Sequence, residues 1–337
     1  FKIWQLKEEN RRLREEVKNQ FAFPGLVGNS TAMLKLKEMI ADAGRTDSTV
    51  LIQGETGTGK ELVARALHVH SPRAKNKFVP VDCAAISETV IESELFGHIR
   101  GAFTGAYTSV PGLIRSADKG TLFLDEVGEL SPAIQGKLLR TVQEREVRPV
   151  GGSRSDPVDV RLLAATNRNL AAEVADGRFR EDLFYRLNVL TINVPPLRDN
   201  PEDIALLASY FLKRFATDLS PVRDISRAAL EYLANYNWPG NVRELENIIR
   251  RAVALGRGNA IQPEDLPPPI FAAPTEAAYG RGCVAGSSLA AYEKTAIQNA
   301  LAKNSQNRAK AAKILGIGEA TLYRKIKKYG ILGIDDC

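Results

Sequence analysis

The stretch Gly54-Glu55-Thr56-Gly57-Thr58-Gly59-Lys60 constrains this chain more than any other. An apolar run, Val50-Leu51-Ile52, precedes it, and a helical pattern over residues 61–68 follows. Strand, glycine loop and helix in that order wrap backbone N–H groups around a phosphate chain. Glycine takes the required turns without Cβ clashes, and the helix points the positive end of its dipole at the anion. Lys60 stands where its ammonium reaches the outer phosphates, and the spacing fits G-x-x-x-x-G-K. Glu61 departs from the pattern, occupying the position where Ser or Thr would hold a magnesium ion. A glycine-rich turn without a ligand is the plainer alternative. An acidic strand further along the chain favours nucleotide binding.

Between Leu26 and Pro196 short apolar runs at residues 49–53, 78–82, 121–125, 160–166 and 189–194 alternate with helical stretches such as 31–43. That pattern predicts an α/β fold with a parallel sheet covered on both faces. After Pro195-Pro196 the period changes, and residues 201–217, 226–237 and 241–255 read as helices of a small all-α domain. Asn241 followed by Glu244, just after Trp238-Pro239-Gly240, reads as a capping box. Residues 263–288 are rich in Pro, Ala, Gly and Ser, as a linker is, and 289–303, 307–315 and 319–329 form three short helices. At the other end Ile3, Leu6, Asn10, Leu13 and Val17 alternate spacings of three and four, a short coiled coil or a single amphipathic helix. The domain plan is therefore a linker helix at 1–20, an α/β unit at 24–196, a helical unit at 197–266, a linker at 267–288 and a helical unit at 289–333.

No apolar run approaches the length of a membrane span, so no membrane role is expected. Cys83, Cys283 and Cys337 show neither metal-ligand spacing nor a disulfide framework, and a reducing cytoplasm is the expected setting. The chain opens on Phe1 without an initiator Met or a signal-peptide pattern, as expected of a fragment whose upstream part is missing. Of the net charge of +6, residues 289–337 carry +5, with nine Lys/Arg against four Asp/Glu. Basicity concentrated in a helical end piece points to nucleic acid, with a solvated basic face as the alternative.

Residues 121–126, Thr-Leu-Phe-Leu-Asp-Glu, form an apolar strand ending in two carboxylates. Phosphoryl transfer needs a metal to screen phosphate charge and a group to orient the attacking water; Asp125 suits the first and Glu126 the second. Asn167 ends another buried strand, at the edge where ligands of open α/β sheets sit, and either senses the γ-phosphate or caps a turn. Arg180 and Arg186 flank Glu181 and Asp182. They either neutralise charge on a neighbouring subunit's nucleotide or form local salt bridges. Arg243 presents the same choice within one subunit. Gly101-Ala102-Phe103-Thr104-Gly105-Ala106 sets small residues around a lone aromatic, the composition of a mobile loop tip that presses on a partner or of a buried Phe between turns.

With these motifs on the page, residues 24–332 resemble the bacterial enhancer-binding proteins, the AAA+ activators of sigma-54 RNA polymerase. Residues 101–106 spell GAFTGA, that family's signature loop, and Gly54 to Glu61 spell GETGTGKE, in which Glu61 is usual for the family. The resemblance implies an AAA+ P-loop ATPase with a helical lid and a Fis-type helix-turn-helix. It implies ATP with Mg²⁺ bound at Gly54, Glu55, Thr56, Gly57, Thr58, Gly59, Lys60 and Glu61. Asp125 then serves the metal, Glu126 activates water, Asn167 is the first sensor and Arg243 the second. Arg180 and Arg186 become fingers acting on the next subunit of a homo-oligomer, dimer to hexameric ring. Gly101, Ala102, Phe103, Thr104, Gly105 and Ala106 contact sigma-54 of the RNA polymerase holoenzyme, with residues 145–157 as a second loop beside them. Thr321, Arg324, Lys325 and Lys328 face double-stranded enhancer DNA, while Leu322 and Ile326 pack inward. Another AAA+ remodelling ATPase, or a DNA-binding repressor that binds ATP without turnover, are the alternative functions. The chain departs from the family pattern at Asp82, where many members carry Asn; a carboxylate cannot donate the amide hydrogen bond that restrains the catalytic Glu. It departs again at Ile99-Arg100, where Glu-Lys is common.

Overall fold

The computed structural model divides the chain into two compact units, Phe1–Ala272 and Ala273–Cys337. It describes residues 23, 25–84, 88–216, 221–256 and 258–271, and in the second unit 308, 312, 318, 321, 322 and 324–326. The expected helix at 1–20, most of the expected linker, and Lys328 lie outside the described residues.

Five strands, β1 (Val50–Gln53), β2 (Phe78–Asp82), β3 (Thr121–Asp125), β4 (Arg161–Thr166) and β5 (Leu190–Asn193), form one sheet in the order β2-β3-β4-β1-β5. All neighbours are parallel, with Leu51 opposite Ala164 and Asp82 opposite Asp125. Successive side chains alternate between two cores, as the twofold period of a strand requires. Leu51, Leu122, Leu124, Leu162 and Ala164 enter one. Val50, Ile52, Phe123, Leu163 and Ala165 enter the other.

Helices α1 (Thr31–Gly44) and α2 (Lys60–Val69) pack with the second core. Helices α3 (Glu88–Phe96), α4 (Pro132–Glu144), α5 (Leu170–Ala175) and α6 (Glu181–Leu187) contribute to the first. Ser30 caps α1 through Met33 N–H and Ser131 caps α4 through Ile134 N–H. Arg161, fully buried, donates to the carbonyls of Ala43, Gly44 and Leu67, so one cation satisfies the C-terminal ends of α1 and α2 at once.

A third core belongs to the helical part, built on α7 (Ile204–Phe215), α8 (Arg227–Asn235) and α9 (Asn241–Leu255) around fully buried Trp238. Two sequence expectations change here. Residues 201–203 form a separate 3-10 turn, Pro201–Asp203, before α7. Pro268–Phe271, expected as linker, is a short helix whose Ile270 is buried in this core.

Candidate functional site

The phosphate loop lies between the C-terminal end of β1 and the start of α2, with Gly57 and Gly59 in left-handed backbone. Lys60 is 6% exposed, and its Nζ lies 3.1 Å from Gly54 O and 3.1 Å from Glu126 Oε1. Thr58 Oγ1 donates to Glu55 O, which closes the loop on itself. Glu61 turns its carboxylate outward to Arg65, one helical turn on, at 2.7 Å.

The carboxylates at the end of β3 sit across from Lys60. Glu126 has left-handed φ of 52°, an uncommon conformation for a residue with a side chain and one found at strained functional positions. Its Oε2 accepts from Asn167 N–H at 3.1 Å, while Asn167 Nδ2 donates to Thr56 Oγ1 at 2.9 Å. Asn167 thus joins the carboxylate to the loop. Burial, and next the negative charge of Glu126, push Asp125 above the ordinary aspartate range, against the pull of Lys60. Asp82 accepts from Ala84 N–H at 2.9 Å and makes no hydrogen bond to Glu126. Cys83 is buried beside this cluster, and burial with the charges of Asp82, Asp125 and Glu126 raises its thiol to about 12.

The donor set fits a phosphate-bound magnesium ion. Among the described residues no group of three or more His, Cys, Asp or Glu gathers into a metal cage. Mg²⁺ characteristically takes one or two carboxylates and completes its shell with phosphate oxygens and water. Asp125, half-buried beside a second carboxylate, would be such a ligand.

The helical part closes the cleft. Leu26, Val27, Leu207 and Phe211 provide apolar walls, and Arg243 lines the same cavity as Lys60 and Asp125. Arg243 N–H donates to Gly57 O. Asn241 is not a helix cap, contrary to the capping-box expectation: its φ is 52°, its Oδ1 accepts from Leu197 N–H, and its Nδ2 donates to Glu55 Oε2 and Thr56 O. Glu244 does reach back to a backbone donor, but that donor is Gly240 N–H. The Glu55 side chain binds Arg198 through two hydrogen bonds of 2.8 and 2.5 Å. Arg198 and Asn241 hold its carboxyl down at about 2. Arg198, Asn241 and Asp203, which accepts from Asn29 and Ser30 N–H, are the lid contacts that sequence reasoning missed. Each reaches across more than 140 residues of chain, and no local pattern marks them.

Arg180 and Arg186 are not part of this chain's own cleft. Arg180 is exposed and pairs with Asp182 at 2.7 Å, which is the local salt bridge considered above. Arg186 is exposed on α6, with one guanidinium nitrogen 3.5 Å from Val142 O. Away from the cleft, Gly97–His98 pairs antiparallel with Val110–Pro111 at the base of the 101–106 loop. Phe103 is 46% exposed and meets His98 edge-on, with centroids 5.0 Å apart. The 145–157 segment lies beside it: Ile99 N–H donates to Val150 O, Val150 N–H to Gly97 O, and a Cβ on Gly151 would stand 2.9 Å from Ala102 Cβ.

In the second unit Thr321 and Leu322 N–H donate to Gly318 O, a helix start at the expected place. Leu322 is buried and Ile326 half-buried, while Thr321 and Lys325 are half-buried and Arg324 exposed. No helix among the described residues is long and apolar enough to cross a membrane.

The parallel sheet, phosphate loop and helical lid define an ATPase of the AAA+ class. Residues 26–193 match the sigma-54 interaction domain, 198–281 the AAA+ ATPase lid domain, and 288–329 the bacterial regulatory protein, Fis family. The regulatory protein AtoC of Escherichia coli (strain K12) is 45% identical over 97% of this chain and 72% of its own length. The nitrogen fixation protein AnfA of Azotobacter vinelandii is 46% identical over 97% of this chain and 61% of its own. The transcriptional regulatory protein ZraR of Klebsiella oxytoca is 50% identical over 90% and 69%. The crystal structure of NtrX from Brucella abortus in complex with ATP superposes with a TM-score of 0.69 at 32% identity, covering 97% of this chain and 74% of that one. The chain belongs to the sigma-54-dependent AAA+ activators, with nucleotide, sigma-54 and DNA as partners.

Proposed function

We propose that this chain hydrolyses ATP between subunits of a ring, most simply a hexamer, in the cytoplasm, and uses the reaction to open sigma-54 promoters. Residues 24–196 and the lid at 197–266 form the motor, the 289–333 unit holds enhancer DNA through Thr321, Arg324, Lys325 and Lys328, and residues 101–106 engage sigma-54. The observation that carries the reading is the position of Glu126, held between Lys60 at 3.1 Å and Asn167 N–H at 3.1 Å. The γ-phosphate of ATP competes for Lys60, which frees Glu126 Oε1 to take a proton from an attacking water. The water oxygen bonds the γ-phosphorus as the bond to the β-phosphate oxygen breaks, leaving ADP and phosphate. Asp125 would hold Mg²⁺ together with the phosphates, where the ion would screen their charge. Asn167, hydrogen-bonded to both Glu126 and Thr56, carries the change of phosphate state back to the loop.

Arg180 and Arg186, absent from their own cleft, complete the site from the next subunit. Two variants test this together. Glu126→Gln should retain ATP binding and lose turnover by about 10²-fold or more, and Arg186→Ala should lose turnover to a similar extent. Mixing the two should restore hydrolysis, because an intact site on one meets an intact finger on the other. A mixture no more active than its components overturns the shared site, and a Glu126→Gln chain with wild-type turnover overturns the role of Glu126.

A further inference from the structure

The edge of the sheet away from the nucleotide holds a second cavity, of about 230 Å³. Leu122 and Leu162, at the starts of β3 and β4, together with Ile114 and Leu138 form its floor, and each is nearly or fully buried. Three arginines surround the mouth: Arg73, Arg145 and Arg186. Arg73 is neutralised, because it bridges Asp47 at 2.6 Å and Asp159 at 2.8 Å. Arg145 and Arg186 form no salt bridge among the described residues, although Arg145 lies in the field of Asp159, and the Arg186 guanidinium stands 3.5 Å from Val142 O.

A well with an apolar floor, lined as well by the Arg145 and Arg186 guanidinium groups, neither of them in a salt bridge, suits a small apolar body bearing an anionic head. A cavity of about 150 Å³ lined by aliphatic side chains accepts a benzene ring, so this well takes a ring or a branched chain of similar size. Guanidinium groups bind carboxylate or phosphate through paired N–H donors.

We propose that this cavity is a regulatory site for a small aromatic or branched-chain acid, and that its occupant withholds Arg186 from the neighbouring subunit. The control of Arg186 rests on the finger reading above; the binding site does not. Arg145 closes α4 with left-handed φ of 55° and begins the 145–157 segment, which pairs with the base of the 101–106 loop. The occupant's head therefore touches both the finger and the root of the second loop.

The test uses the whole chain with 4-fluorobenzoate as probe, followed by fluorine NMR, and ATP turnover measured in parallel. The probe should bind with a dissociation constant on the order of 0.1–1 mM, and 4-fluorobenzyl alcohol, its neutral counterpart, should bind at least about tenfold more weakly. Arg145→Gln, which removes one charge at the mouth, and Val142→Trp, which crowds it, should each weaken the probe about tenfold. Melting curves report whether each variant is folded. Saturating probe should lower kcat for ATP, relative to each variant's own probe-free rate, and leave KM unchanged. Absence of binding at about 10 mM probe, or binding indifferent to both variants and to the charge of the probe, overturns the site. Binding as expected with unchanged kcat upholds the site and overturns its control of Arg186; the mixing experiment then shows independently whether Arg186 acts in trans.

Discussion

Gly57 in the phosphate loop and Gly101 in the GAFTGA loop share the same backbone φ, +83°, in opposite surroundings. A Cβ on Gly57 would stand 2.3 Å from the carbonyl oxygen of Gly240, in the lid, whereas a Cβ on Gly101 would meet nothing within 4 Å. In the first loop glycine lets two backbones touch, and in the second it only permits a turn. Tight contact suits a site that must hold phosphates in one geometry. Open space at Gly101 and Gly105, with Phe103 nearly half exposed, suits a loop that moves against a partner.

The largest effect should come from Gly57→Ala. The new methyl group cannot coexist with Gly240 O, so the lid must shift, and ATP affinity should fall by about 10²-fold or more, equivalent to about 3 kcal/mol. Titration with a fluorescent ATP analogue measures it, and near-native affinity would break the contrast. Gly151→Ala should be intermediate: it presses on Ala102 and Ile99, so open-complex formation should drop severalfold while ATP affinity stays within about twofold. Gly101→Ala carries only the cost of its positive φ, about 1 kcal/mol of local strain. Melting temperature and ATP affinity should stay close to wild type.

A smaller effect, through pH, should appear on the phosphate-loop side. His68, in the last turn of α2, is buried against Phe78 and Thr121 Oγ1, and burial lowers its pKa below the ordinary 6.5. The unfolded chain then takes up a proton that the folded chain resists. This contribution to stability is complete above about pH 6.5 and declines as the pH falls toward the lowered folded value. Melting temperature should drop between pH 7.5 and 5.5 in wild type, at about those bounds, and less steeply in His68→Gln. Parallel slopes would remove His68 from the account.

The parts of the site within one strand-turn unit were legible in the sequence. The strand at Val50–Gln53, the glycine turn and Lys60 are adjacent in the chain, and Asp125, Glu126 and Asn167 each end a buried strand, where parallel topology places them at one edge. The closing contacts were not. Asn241 two residues after a proline looks like a cap from its neighbours alone; its actual partners, Glu55 and Thr56, are 186 and 185 residues away. The arginine that fixes the Glu55 side chain lies 143 residues downstream, out of reach of any local pattern in the motif. Local pattern reports the backbone path, and side-chain direction depends on the element that packs against it.

The contrast between the two loops makes one claim above the others: ATP is hydrolysed at the held loop and the work is delivered at the free one. Open-complex formation at a sigma-54 promoter by Thr104→Ala, with ATP turnover measured in the same reaction, tests it most directly. Turnover within about twofold of wild type alongside at least about a 10²-fold loss of open complexes is the expected result. Wild-type open-complex formation by that variant would contradict the claim, as would a loss of turnover that matches the loss of open complexes.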